Sequence, residues 1–467
     1  MQQRKQKRTG AKRFFLILLT IVLMTACGPE SIGKRTSSPA PIPPLTLLTT
    51  TEDYDPARYH AAYQVAQWWE SLGLTVEVVP LEFNELSNAV RNHYPEDKHW
   101  DAFMMSWTGR VERGDPDMFI YSISHSSQAG VMGNNYYEYR NPAYDALAEA
   151  QRRVADPEIR RYVVHEAQEV LARDIPFVTL YYRHVVQAYR SDLWENIQTM
   201  TGEGLYHEWL PFHADRVQHE SETPLPFQMI IASNQEPDSL NPMTASTVWE
   251  WKLLRFIYDK LARVNQHFQP EPWAALEINQ VDDLTVDVKL REDMDFHDGT
   301  PLKPEDVLFT FRYMKEHNIS YFNAFLEPID KVSLLRDGTI RFQLKEPYAP
   351  FVTMTLAQIP ILPEHRWEHL LEEQGVKHPS QLQEVPLVGS GPLRFHSWEP
   401  GQVIRLDRYD DYFAARDIDM ETLLYRLYPD TEEVFQAIVT GEAHMTGVNL
   451  EPAYIERAKA SEQLTVV

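Results

Sequence analysis

The stretch Val286-Asp-Val-Lys-Leu-Arg-Glu-Asp-Met-Asp-Phe-His-Asp-Gly-Thr-Pro-Leu-Lys-Pro-Glu-Asp-Val-Leu-Phe-Thr-Phe311 decides how the second half of the chain folds. Val286, Val288 and Leu290 alternate with polar residues, the period of a half-buried strand. Asp293, Asp295 and Asp298 before Gly299 then mark a turn. They imitate a calcium loop only superficially, because position twelve from Asp293 is Pro304, which cannot close a coordination sphere with a carboxylate. From Glu305 to Lys315 the pattern becomes helical. Ile340, Phe342 and Leu344 alternate again after the Asp337-Gly338 turn, as in an antiparallel hairpin. A further helix is expected over Thr431–Thr440, before Gly441. Residues 227–467 therefore read as an α+β block with a substantial sheet.

Residues 45–215 have a different texture. Leu45–Thr50 is β-prone, and Ala61, Val65, Trp68 and Leu72 recur at helical spacing up to Gly73. Val76–Val79 is β-branched again, which completes a βαβ unit. A short strand is expected over Ala102–Trp107, helices over Tyr144–Val154 and Glu158–Arg173, and hairpin-like apolar runs over Phe177–Tyr189. The polar, proline-punctuated segment 216–226 is the expected linker. With 467 residues the chain is too long for one core. The fold class is α/β, mixed α+β.

Arg4, Lys5, Lys7, Arg8, Lys12 and Arg13 precede an apolar run, Phe14–Met24, of eleven residues. A membrane-spanning helix needs ~20, whereas a secretory signal needs a shorter run followed by small residues. Residues 1–26 are thus read as an export signal. Met24-Thr25-Ala26-Cys27 resembles a bacterial lipobox, in which Cys27 becomes the lipidated first residue, and Cys27 is the chain's only cysteine. Residues 27–44, rich in Ser and Pro, read as a flexible tether. The chain carries 44 Lys and Arg against 68 Asp and Glu, a net charge of −24. No basic patch follows residue 13, so nucleic acid is not an expected partner.

Leu290–Phe311 is similar to the signature of the family-5 extracellular solute-binding proteins, the peptide/nickel-binding group of ABC importers. Ser239-Leu240-Asn241-Pro242, Ile257–Leu261, Val388–Pro392 and Asp407–Phe413 stand around it in that family's order. Residues 45–215 resemble the family's closing part, through Ser106–Phe119, Asn134–Ala150 and Arg173–Tyr189. The two parts stand in reversed order, and a middle segment has no counterpart. The resemblance implies a two-lobed, type II periplasmic-binding-protein architecture, rearranged or incomplete, in a permuted relative or in the front of a longer tandem product. It also implies a non-enzymatic, lipid-anchored receptor outside the cytoplasm, periplasmic or on the outer surface. Such a receptor takes a peptide or similar small solute and delivers it to a permease and ATPase, without cofactor or metal.

The loop Trp107–Asp117 carries the expected ligand chemistry. Trp107 offers an aromatic wall and Gly109 gives the backbone freedom. Where dipeptide- and oligopeptide-binding members have an aspartate for the ligand's amine, this chain has Arg110. A guanidinium repels an ammonium and attracts a carboxylate or phosphate. Asp115 or Asp117 takes over the amine if the loop shifts; the alternative is that both cap the following helix.

Two other readings stay open at this point. His365-Arg-Trp-Glu-His369 has the HxxEH spacing of a zinc hydrolase, with both histidines on one helix face; the alternative is a packed helix after Pro363. A truncated or regulatory remnant is the other. His207-Glu208 with His213 is spaced too widely for a zincin helix.

Overall fold

The computed structural model describes residues 42–91, 98–107, 109–130, 133–217 and 227–467. The expected signal 1–26, Cys27 and most of the tether 27–44 lie outside the described residues. Two compact units are present: Met1–Phe83 with His99–Met104, and Asn84–Lys98 with Met105–Val467.

In the first unit, strand Leu45–Thr50 is flanked in parallel by Val76–Leu81 and Ala102–Phe103. Helix Pro56–Ser71 crosses between the first two strands, and Asp55 caps it by accepting from Arg58 N. Ala62 and Val65 of this helix pack on Leu47, so the expected βαβ unit is formed. The third strand is shorter than the expected 102–107 and stops at Phe103.

The second unit is built on a seven-stranded mixed sheet, ordered 393–399, 403–408, 422–427, 228–233, 445–446, 188–190 and 464–466. Its central strands are parallel, and antiparallel strands close both edges. A four-stranded antiparallel sheet is ordered 275–282, 285–290, 340–344 and 329–334. Val286 pairs with Phe342 and Val288 with Ile340, and all four side chains are buried. The alternating pattern is thus realised with its apolar set on one face. Gly338 sits at φ 83° in the expected turn. Helices cover Pro142–Arg153, Pro157–Asp174, Pro304–Glu316 and Thr431–Thr440, the last capped by Gly441 at φ 82°. The fold is mixed α/β, as expected.

The hairpin expected over Phe177–Tyr189 does not form. Helix Pro157–Asp174 ends on Ile175 in the left-handed region, and 178–187 then run without regular structure. Only Ala188–Arg190 becomes a strand, because it alone reaches partners, Met445 on one side and Leu464–Val466 on the other. This strand comes from the 45–215 block yet sits inside the sheet of the 227–467 block.

Candidate functional site

Helix Val248–Ile257 supplies the floor of the site. Thr247 and Glu250 form a reciprocal capping box at its start, and every residue from Glu250 to Ile257 is buried. Two of them, Lys252 and Arg255, are cations in an otherwise apolar run, so each requires a buried partner. Glu203 meets both. Its Oε1 accepts from Arg255 Nη1 at 2.9 Å, and its backbone carbonyl accepts from Lys252 Nζ at 3.3 Å. Burial holds Lys252 down to about 8, against the pull of Glu203.

Glu203 also anchors the loop that carries Arg110. Glu203 Oε1 accepts from Val111 N at 2.9 Å. The turn bearing Glu203 is bracketed by Gly202 and Gly204 at φ 80° and 79°. Gly109 lies directly against Gly202, where a Cβ added to Gly109 would stand 2.4 Å from the Gly202 Cα and O. Gly109 is therefore a close-approach glycine, and the loop is seated on the turn instead of swinging freely.

The result is a concave wall. One small cleft, open to solvent, is lined by Arg110, Glu203, Val248, Trp251, Arg255 and Tyr321. A second small cleft shares Trp251, Arg255 and Tyr321 with it and adds Lys260 and Gln358. Trp251 and Tyr321 stack at 4.9 Å, with their planes 17° apart. Basic groups beside an aromatic face suit an anionic or dipolar small molecule.

Of the residues expected in the site, Arg110 is in this wall and Gly109 supports it. Trp107 is elsewhere: its ring stacks on Tyr136 at 5.9 Å, under the Arg113 guanidinium at 5.1 Å. The aromatic wall comes from Trp251 and Tyr321 instead. Asp115 and Asp117 are turned into the protein. Asp115 is clasped by Arg160 Nη1 and Nη2 at 3.0 and 2.5 Å, and its Oδ1 accepts from Asp117 N, which is the capping alternative. Asp117 accepts from Gln151 Nε2 at 2.6 Å and from the Tyr348 hydroxyl at 3.3 Å, with Arg152 Nε 3.3 Å away. Burial pushes the Asp117 carboxyl above its ordinary value, opposed by Arg152. Both carboxylates are thus engaged by partners within the protein in this geometry.

The sequence pointed to Arg110 but not to Glu203, Arg255, Trp251 or Tyr321. One signal was available: Lys252 and Arg255 inside an apolar helical run imply an acidic partner elsewhere in the chain.

The HxxEH spacing does not lie on one helix face. The helix is only Glu364–Trp367, and His369 begins a second short turn, because Trp367 plunges into the core with full burial. His365 Nε2 pairs with Asp298 Oδ2 at 2.9 Å, while His369 is exposed beside Glu368. Among the described residues, no group of three or more His, Cys, Asp or Glu is placed to hold a metal ion. His207 and Glu208 are buried. Burial would raise the Glu208 carboxyl, yet Lys260 and Arg263 hold it below its ordinary value, and Lys260 Nζ stands 2.7 Å from it.

Residues 269–467 match the bacterial extracellular solute-binding proteins, family 5 Middle. Among curated relatives, the oligopeptide-binding protein AppA of Bacillus subtilis is 26% identical over 231 residues, covering 47% of this chain and 40% of that protein. The probable peptide-binding protein YejA of Agrobacterium fabrum is 25% identical, covering 55% of this chain and 42% of its own length. Among solved structures, AppA of Bacillus subtilis with a nonapeptide is 24% identical, with a TM-score of 0.45 over 50% of this chain and 46% of that one. NikZ of Campylobacter jejuni with Ni(L-His) is 23% identical, with a TM-score of 0.43 over 51% and 46%. The chain thus spans less than half the length of these relatives. Among the described residues, no helix is long and apolar enough to cross a membrane.

Proposed function

We propose that this protein is the substrate-binding component of an ABC importer, held outside the cytoplasm by a lipid on Cys27, and that it captures peptides or a similar small solute without chemically changing them. Two lobes close around the ligand and present it to a permease coupled to an ATPase. Closure requires only that the ligand bind the closed state better than the open one. The observation that carries the reading is the pocket of Arg110, Arg255, Trp251 and Tyr321 on a chain whose residues 269–467 match the family.

The ligand polarity follows from Arg110. An ammonium beside this guanidinium loses a charge-assisted hydrogen bond and gains repulsion, so the loop receives an anionic or neutral end. Calorimetry with free and N-acetylated forms of one peptide tests this. Similar affinities are expected; a free amine favoured by about ten-fold or more removes Arg110 from the site. Arg110→Asp should instead favour the free amine. Anchoring is tested separately: Cys27→Ser is expected to release the protein from membranes, and unchanged fractionation rejects the lipid.

A further inference from the structure

Among the described residues, nothing donates a hydrogen bond to one carboxylate oxygen of Glu203. Oε1 takes both Val111 N and Arg255 Nη1. Oε2 is buried, and no donor reaches it, although the side chain is only 4% exposed. Glu203 lines the same pocket as Arg110. A buried acceptor without a donor is destabilising, and native interiors fill nearly all such groups.

We propose that Glu203 is a ligand-binding residue, and that its Oε2 accepts the N–H of a peptide's last peptide bond while Arg110 takes the C-terminal carboxylate. The inference rests on the peptide-binding reading and gives that ligand a direction: the C-terminus enters this pocket. A neutral donor fits better than an ammonium, because Arg255 already neutralises Glu203 and Arg110 stands in the same wall. In a peptide's last residue the amide N–H and the carboxylate flank a single Cα, so one residue carries both complementary groups. The Trp251–Tyr321 stack then offers its apolar edge to the last side chain. An isolated anion such as phosphate or acetate would satisfy Arg110 and leave Oε2 unfilled, so it is a weaker fit.

The test uses the full chain and three probes: N-acetyl-trialanine, the same peptide N-methylated at its last peptide bond, and its C-terminal amide. Calorimetry is expected to show a loss of about ten-fold or more for each modified peptide, the size of a lost hydrogen bond to a charged group. In Glu203→Gln, with folding checked by thermal unfolding, the N-methyl penalty should shrink to about three-fold or less. Should that variant not fold, the ligand series on the unmodified protein decides alone. N-methylated and parent peptides binding within about two-fold of each other overturn the role of Glu203 while leaving peptide capture standing. Failure of all three peptides to bind overturns peptide capture itself.

Discussion

The two ends of the segment from Gly109 to Asp117 treat buried charge in opposite ways. At the Asp115–Asp117 end every carboxylate oxygen has a protein partner: Arg160 on Asp115, Gln151, Arg152 and Tyr348 on Asp117. At the Arg110 end, Glu203 is equally buried but keeps one oxygen unfilled beside a pocket. A saturated cluster resists change, since removing one member strands a charge in low dielectric. An unsaturated one gains by adding a partner. The same loop thus has an anchor and a receiving end, and sequence proximity does not tell which is which.

Breaking the anchor should have the largest effect. Arg160→Met leaves Asp115 buried without its guanidinium and is expected to cost about 3–5 kcal/mol, read by urea denaturation. A cost under about 1 kcal/mol would show that the Asp115 end is no anchor.

The next effect probes the charge on the pocket floor through pH. Lys252 titrates near 8 in the folded protein, below the ordinary lysine value of about 10.4. The unfolded chain therefore binds more protons between those values, and stability from this group rises with pH from about 8 to 10.4. Below pH 8 the penalty of burying the cation is present in full. Lys252→Met should flatten this rise and raise stability at pH 7 relative to pH 10 by an amount on the order of 2–3 kcal/mol. An unchanged slope would place the titration elsewhere.

Gly109→Ala sharpens the comparison at the Arg110 end. The new Cβ meets Gly202 backbone, which cannot rotate away, so about 1–3 kcal/mol of destabilisation is expected. Peptide affinity should fall with it, because Val111 is pushed off Glu203 and the adjoining Arg110 is displaced with it. If stability falls while affinity holds, the loop is a packing element only. Arg110→Ala should do the reverse: stability within about 0.5 kcal/mol, with affinity for a free carboxylate lowered by about ten-fold.

The smallest effect concerns the proposed division into 45–215 and 227–467. Protease cleavage is expected within 216–226, but the two products should co-elute, because Ala188–Arg190 lies between Met445–Thr446 and Leu464–Val466 in one sheet. Separation of the products without denaturant would contradict that pairing.

Local pattern made much of the fold legible. Strand alternation at Val286–Leu290 and Ile340–Leu344, the Asp337-Gly338 turn, and the helices before Gly441 and after Asn141 and Asp156 all follow from period, cap and turn residues. These features depend on neighbours within a few residues, so the sequence states them directly. Arg110 was legible for a similar reason, standing in a recognisable loop. The fate of 178–187 was not legible: a β-prone run becomes a strand only where another strand is present to pair with it. Nor was the break between His365 and His369, which follows from burying Trp367. The difference between Asp115 or Asp117 and Glu203 belongs wholly to tertiary structure. All three are acidic residues near glycines in sequence. Which of them meets Arg160, Arg152 or Arg255, and which keeps an oxygen free, is decided by segments 35 to 52 residues away and in the case of Tyr348 by one 231 residues away. Charge partners at such separations leave no local period, because what selects them is the shared cost of removing each from water.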